Sequence, residues 1–432
     1  MRFGVAKEII TPVEPTRLVC SGPLDEIYKG VHDDIFVRCL VLDDGKSKSV
    51  FLSYDLVFYD HSLNDRIAAY ANEKYDIEKD AVVIAHTHAH MTPSVRGYCP
   101  GAFHYDYEEF LVERSKNVLD RAIAILYEGE VEYGTFDGDF NISRRGVRDG
   151  VRTNAPDLDY KCDKEFFVMY IRDMAGRIRF IMTNYACHPV NHPAIGVVCS
   201  DFPGRMVQHL EMKYYGAMGM FFQSSGGDVR PKPTATAEVL AGILPWQRLS
   251  FEKLDAFSKE MADSVIDFIE SGKAKKADVS IASDGFEIEL PIDVQPLSVF
   301  EKMLEERKAF GYCAEKQNAE DVVNGGYNKL TDSMFLRCQT IKISDDLYIT
   351  AIGGEPCYRV KCAVREAFAD KDFCFIGYTD GCAYIVDDVV IDEGGYEPNS
   401  FLEYGLKGPF KKGLNKKYSD GFKASRKRIE NK

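Results

Sequence analysis

Three histidines fall within five residues at Ala85-His86-Thr87-His88-Ala89-His90, directly behind the apolar run Val82-Val83-Ile84. Side chains on extended backbone repeat their direction every two residues, so an extended continuation would set His86, His88 and His90 on one face. Imidazoles at the end of a buried strand are a common way to build a zinc site, although single histidines are more often satisfied polar residues. A second group, Asn184-Tyr185-Ala186-Cys187-His188-Pro189-Val190-Asn191-His192, also ends a strand-like run. His188 is the better ligand candidate there because it terminates the run, whereas His192 lies between Asn191 and Pro193 in loop-like sequence. Glu355, in Ile352-Gly353-Gly354-Glu355-Pro356, either offers a carboxylate to a metal or sits at the positive end of a helix that starts at the proline. Tyr384 closes the Gly-rich stretch after Phe373–Ile376, where a phenol either binds or simply packs. Each of the four follows an apolar run, the place where ligands gather in α/β folds, yet spacing alone does not bring them together.

The elements that must carry these groups are interleaved strands and helices. Phe36–Leu42, Val50–Phe58, Val82–Ala85, Phe166–Ile171 and Ile178–Ala186 read as strands, the last two joined as a hairpin by Asp173-Met174-Ala175-Gly176. Leu336–Ile343 and Leu347–Ile352 form a second hairpin candidate around Asp345-Asp346. Three- and four-residue spacing predicts helices through Leu111, Val118, Ala122 and Ile125, and through Leu254, Phe257, Met261, Val265 and Phe268. The weakest joint is Gly272–Lys276, where a helical pattern stops and an alternating one begins. Strands interleaved with helices, together with hairpins, point to a mixed-sheet α/β architecture.

Composition narrows the partners. The net charge of −14 over 432 residues disfavours nucleic acid, which needs clustered Lys and Arg. No run of 18 apolar residues calls for a membrane span, and no secretory segment precedes the first strand pattern. Twelve cysteines, without C-x-x-C pairs and mostly inside apolar runs, suit reduced thiols in a cytoplasm. The basic stretch Lys407–Lys432 reads as a solvated tail.

Seven motifs in order give the chain its resemblance to the neutral/alkaline, non-lysosomal ceramidases. They are His86-Thr87-His88, Asn141-Ile142-Ser143-Arg144, Asp163-Lys164-Glu165-Phe166, Ala186-Cys187-His188-Pro189, Ser200-Asp201-Phe202-Pro203-Gly204, Gly226-Gly227-Asp228-Val229-Arg230-Pro231 and Gly354-Glu355. The resemblance implies two packed mixed β-sheets flanked by helices, with residues 1–405 as the catalytic domain and 406–432 as the tail. It further implies a zinc ion on His86, His188, Glu355 and Tyr384, His88 as a proton carrier beside the metal, and Arg144 near the substrate carbonyl. Two imidazoles, a carboxylate and a phenol would leave such a metal Lewis acidic, with room for a water.

One departure matters. The family's G-D-V-S-P-N segment holds a catalytic serine, and this chain reads Gly227-Asp228-Val229-Arg230-Pro231-Lys232. Ser224 and Ser225 precede a Gly-Gly turn and read as turn hydroxyls rather than substitutes. The expected activity is therefore zinc-dependent hydrolysis of a small polar amide or ester other than ceramide, with no membrane or nucleic-acid partner. Arg230 would select an anionic group through its planar fork, or else pair with Asp228. Two further readings stay open, a zinc-containing binding protein without turnover and a zinc enzyme of another class acting on carbohydrate-derived substrates.

Overall fold

Strands that read as continuous apolar runs are covered on both faces, and alternate residues must then serve two different cores. The computed structural model describes residues 1–14, 16–19, 28–57, 61–93, 95, 105–191, 193–306, 314–381 and 383–432. In it these runs line up in one mixed sheet in the order Met218–Gln223, Ile178–Tyr185, Glu165–Asp173, Tyr127–Asp137, Arg2–Ile9, Phe36–Asp43, Lys48–Tyr54, Val82–His86, with Lys275–Ala277 added beside Tyr127–Asp137. The pair at each end is parallel and the pairs between are antiparallel. The sheet curls until its ends meet, so that Ser53 Oγ donates to the Phe221 carbonyl at 2.7 Å. A second sheet runs Ala282–Pro291, Ser333–Lys342, Leu347–Ile352, Asp372–Ile376.

The two sheets face each other. Val83, Ala85, Phe167, Met169, Ile171, Met182 and Met220 of the first share a core with Ile341, Leu347, Ile349, Ala351, Cys374 and Ile376 of the second. The alternate residues Val82, Ile84, Phe166, Val168 and Tyr170 pack outward under the helices His61–Tyr75, Tyr105–Ala124, Asp201–Lys213 and Phe251–Glu270. Tyr348, Ile352, Phe373 and Phe375 do the same for the second sheet under Tyr358–Arg365 and Leu414–Glu430. The result is the expected pair of packed mixed sheets flanked by helices.

Both hairpins form in the anticipated pairings, the first turning through Gly176 at φ +78°. The helix Phe251–Glu270 starts where Ser250 Oγ accepts the Lys253 N–H at 3.3 Å. Ile125 lies just beyond its helix and is exposed. The helical pattern does stop at Gly272, and the chain crosses to the second sheet only after Lys275–Ala277, which still pairs with the first. The basic C-terminal stretch differs from the solvated tail expected of it. Leu414, Tyr418, Phe422, Ser425 and Ile429, at intervals of three to four among the lysines, bury one face of the helix Leu414–Glu430 against the second sheet, and Arg428 reaches Asp284 at 2.7 and 2.8 Å. Among the described residues, no helix is long and apolar enough to cross a membrane.

Candidate metal centre

His86 ends its strand still paired with Tyr54. The extended continuation expected past it does not occur, because the chain turns at His88, whose φ is +67°. A bulky residue in the left-handed region costs on the order of 1 to 3 kcal/mol. The turn is held by backbone bonds from Thr87 N to Tyr54 O (2.8 Å) and from His88 N to Leu56 O (2.9 Å). It carries His88 and His90 away from the sheet and toward His188, which leaves the end of Ile178–Tyr185. The sheet's curvature brings these two ends together, and Gln223 Nε2 ties them by donating to the carbonyls of Cys187 (2.6 Å) and Thr87 (3.5 Å).

The Nε2 atoms of His88, His90 and His188 form a triangle with sides of 3.1, 3.2 and 3.1 Å. Glu355 Oε2 lies 3.3 Å from His88 Nε2 and 3.8 Å from His188 Nε2. Nitrogens bound tetrahedrally to one zinc at 2.0–2.1 Å would stand about 3.3 Å apart, close to the spacing seen. His88 Nδ1 meets the Val57 carbonyl at 2.8 Å and His188 Nδ1 the Gly226 carbonyl at 3.1 Å. A carbonyl only accepts, so each Nδ1 carries the proton and each Nε2 presents its lone pair to the centre. Burial holds the His188 pKa well below its ordinary value, which keeps the ring neutral as ligation requires. Glu355 Oε2 is buried, and among the described residues no hydrogen-bond donor reaches it. A carboxylate oxygen and imidazole lone pairs facing one point repel unless a cation lies between them, so this donor set fits zinc.

Glu355 and Tyr384 follow the second-sheet strands Leu347–Ile352 and Asp372–Ile376 and are partners in a short parallel pair of their own, which explains why two distant segments meet. Gly354 makes this pairing possible: its φ is +70°, and a Cβ there would come within 2.5 Å of the Ala383 carbonyl. The Tyr384 ring lies 5.0 Å beneath the Arg144 guanidinium and 6.0 Å from the Tyr404 ring. Tyr404 Oη in turn donates to Glu355 Oε1 at 3.5 Å.

The converging set thus differs from the one expected. His188 and Glu355 are in it, together with His88 and His90. His86 stays in the sheet with its ring 5.9 Å from that of His88, and Tyr384 flanks the cluster beside Arg144. The physical reason is the turn at His88, which shifts the histidines facing the centre by two positions. His192 lies outside the described residues. Tyr378 went unnoticed in the sequence. It has φ +60°, its ring packs 4.7 Å from that of His88, and its backbone links Gly354 to His86. A second grouping, His32, Asp33 and Cys199, has Arg205 Nη1 2.6 Å from Asp33 Oδ1, so a fixed cation already occupies that carboxylate.

Arg144 is buried, with Nε donating to Glu397 Oε1 at 3.2 Å while its Nη2 has no hydrogen-bond partner among the described residues. Arg230 pairs in register with Ile142, beside the Arg144 strand. It makes no ion pair with Asp228, which instead accepts the Tyr358 N–H at 3.1 Å. Its Nη2 donates to Val190 O at 3.4 Å and its guanidinium covers Trp246 at 4.9 Å. Burial and the neighbouring Arg144 charge lower its pKa to about 10. Two guanidinium groups near one another, each with an unpartnered buried N–H, make an electropositive wall next to the histidine cluster. Ser224 and Ser225 both donate to Asp163 Oδ2, at 3.0 and 2.8 Å, as structural hydroxyls do.

No protein-family model matches the chain. Among solved structures it is similar to a neutral ceramidase from Pseudomonas aeruginosa, with a TM-score of 0.70 and 16% identity over 99% of this chain and 75% of that one. It is similar also to a ceramidase complexed with C2, with a TM-score of 0.74, 16% identity and the same coverage. At such low identity the likeness speaks to architecture, and the architecture is ceramidase-like.

Proposed function

We propose that the protein is a zinc-dependent hydrolase acting on a small, polar, anionic amide or ester rather than on ceramide. The observation that carries this reading is the convergence of His88, His90, His188 and Glu355 on one point. These residues would hold the ion, with Tyr384, the register partner of Glu355, as a further candidate donor. Zinc bound there supplies Lewis acidity that activates a water and polarises a carbonyl. The chain's own groups account for the rest. Arg144 offers Nη2 to oxyanion charge developing on the substrate carbonyl, and its bond to Glu397 fixes its direction beforehand. Arg230 offers a second planar donor to a carboxylate or phosphate on the substrate. Ser224 and Ser225, just before the turn that contacts His188, are committed to Asp163, which favours attack by water over either of them as nucleophile.

The test is a panel of acyl amides and esters bearing carboxylate or phosphate groups, with ceramide and uncharged analogues alongside, followed by product mass. Turnover confined to anionic members, abolished by chelation and restored by zinc, is expected. Turnover indifferent to chelation, or robust release of fatty acid from ceramide, overturns the reading.

A further inference from the structure

The Gly226-Gly227 turn touches two of the converging groups at once. Its Gly226 carbonyl takes the His188 Nδ1 proton at 3.1 Å, and Gly227 N donates at 3.0 Å to the carbonyl of Pro356, the residue after Glu355. The contact is tight, since a Cβ on Gly227 would lie 2.6 Å from the Glu355 carbonyl. A movement of this turn therefore moves the His188 ring and the Glu355 backbone together.

What holds the turn is one carboxylate. Ser224 and Ser225, fully buried just before the turn, both donate to Asp163 Oδ2 at 3.0 and 2.8 Å. Lys361 Nζ donates to the same oxygen at 2.8 Å, from the helix Tyr358–Arg365 that follows Glu355. The Asp163 carbonyl accepts from Asn141 Nδ2 at 2.6 Å, and the same amide group donates to Ala186 O, two residues before His188. Asp163 and Lys361 are 2% and 3% exposed. A buried ion pair is a poor source of stability, because desolvation offsets its attraction. Its strength lies in fixing geometry, and here two segments, the one leading into the Gly226-Gly227 turn and the helix that follows Glu355, end on a single atom.

We infer that Asp163 is a positioning residue for the metal centre, which sets zinc affinity by anchoring Ser224, Ser225 and Lys361 and so pressing the Gly226-Gly227 turn against His188 and Glu355. The inference rests on the reading of His88, His90, His188 and Glu355 as that centre.

The experiment measures zinc Kd by competition with a chromogenic chelator, and melting temperature in zinc-free buffer, on the full chain. Partners that orient ligands typically contribute about 10- to 100-fold in metal affinity. Asp163→Asn combined with Lys361→Met, which avoids stranding a buried ammonium, is expected to weaken zinc binding at least about 10-fold. Ser224→Ala with Ser225→Ala should do the same, and it decides the matter if the first variant fails to fold. Leu414→Ala, in the C-terminal helix, serves as a control that lowers melting temperature and leaves zinc Kd unchanged. Folded variants whose zinc Kd stays at the wild-type value overturn the positioning role, as does a control that weakens zinc equally. Wild-type protein that binds no zinc overturns the metal centre and the inference with it, a result distinguishable from the others.

Discussion

Replacing Arg230 with methionine should make the protein more stable and less active at once. The guanidinium is largely buried, has no carboxylate partner among the described residues, and its pKa falls to about 10 from an ordinary 12.5. That drop of about 2.5, at 1.36 kcal/mol per unit, makes the charged form roughly 3 kcal/mol less favourable in the folded state than in the unfolded chain. For a base with a depressed folded pKa the cost is fully present below that pKa, so it applies at neutral pH and fades only as pH rises past about 10. Losing the contact with Trp246 returns about 1 kcal/mol of this, leaving a net gain of about 2. Over 432 residues, at about 2.1 cal/mol/K each, that corresponds to a rise in melting temperature of about 2 °C. Against an anionic substrate, kcat/KM should fall about 10- to 1,000-fold, in line with one or two lost charge-assisted hydrogen bonds. Calorimetry with and without inorganic phosphate separates the alternatives, since phosphate should stabilise the zinc-loaded wild type and not the variant. A variant that loses several degrees and keeps its activity would show Arg230 to be a structural partner, and the argument from its unpaired charge would fail.

His88→Ala and His90→Ala should each strip zinc from the protein by elemental analysis. His86→Ala should retain it; loss in the last variant alone would restore the originally expected set. Gly227→Ala should cost on the order of 2 kcal/mol or more in chemical denaturation, because the new Cβ meets backbone oxygen at 2.6 Å; a neutral result would mean the turn can move. Asp228 has its pKa raised to about 7, by burial first and then by Glu397. The folded state therefore binds the extra proton, and stability present below pH 3.8 is lost as pH rises toward 7, on the order of 4 kcal/mol by pH 8. Asp228→Asn, which can still accept the Tyr358 N–H, should raise melting temperature at pH 8 more than at pH 5. Equal effects at both would refute the assignment.

Much of this was legible because two-sided burial leaves a clear mark. Apolar runs such as Phe166–Ile171 could only be interior strands, and the groups at their ends proved to share a neighbourhood. What the sequence concealed was conformation at single residues. Nothing in His86-Thr87-His88-Ala89-His90 announces that extended backbone stops at the first histidine, since the turn depends on bonds to Tyr54 at the end of another strand and to Leu56 just beyond it. The ligand set implied by the resemblance consequently leaves His90 out. Tyr378 was hidden for the same reason, its left-handed backbone being imposed by Gly354 and His86. The C-terminal helix misled differently, because its apolar positions are diluted by lysines that face solvent, and composition outweighed period.

The seam between the two sheets has a mechanical meaning for the site. The histidines leave one sheet and Glu355 the other, so the distance across that interface is also the opening of the ligand cage. Methionines are unusually well represented there, with Met169, Met182, Met218 and Met220 all on the first sheet's inner face. Their unbranched thioethers adapt readily to altered packing, and oxidation makes them bulkier and polar. On the proposed zinc reading, a ligand set whose distances must stay within about 0.2 Å of ideal thus rests on residues sensitive to peroxide. Oxidative damage in this interface would then register as loosened metal long before the protein unfolds.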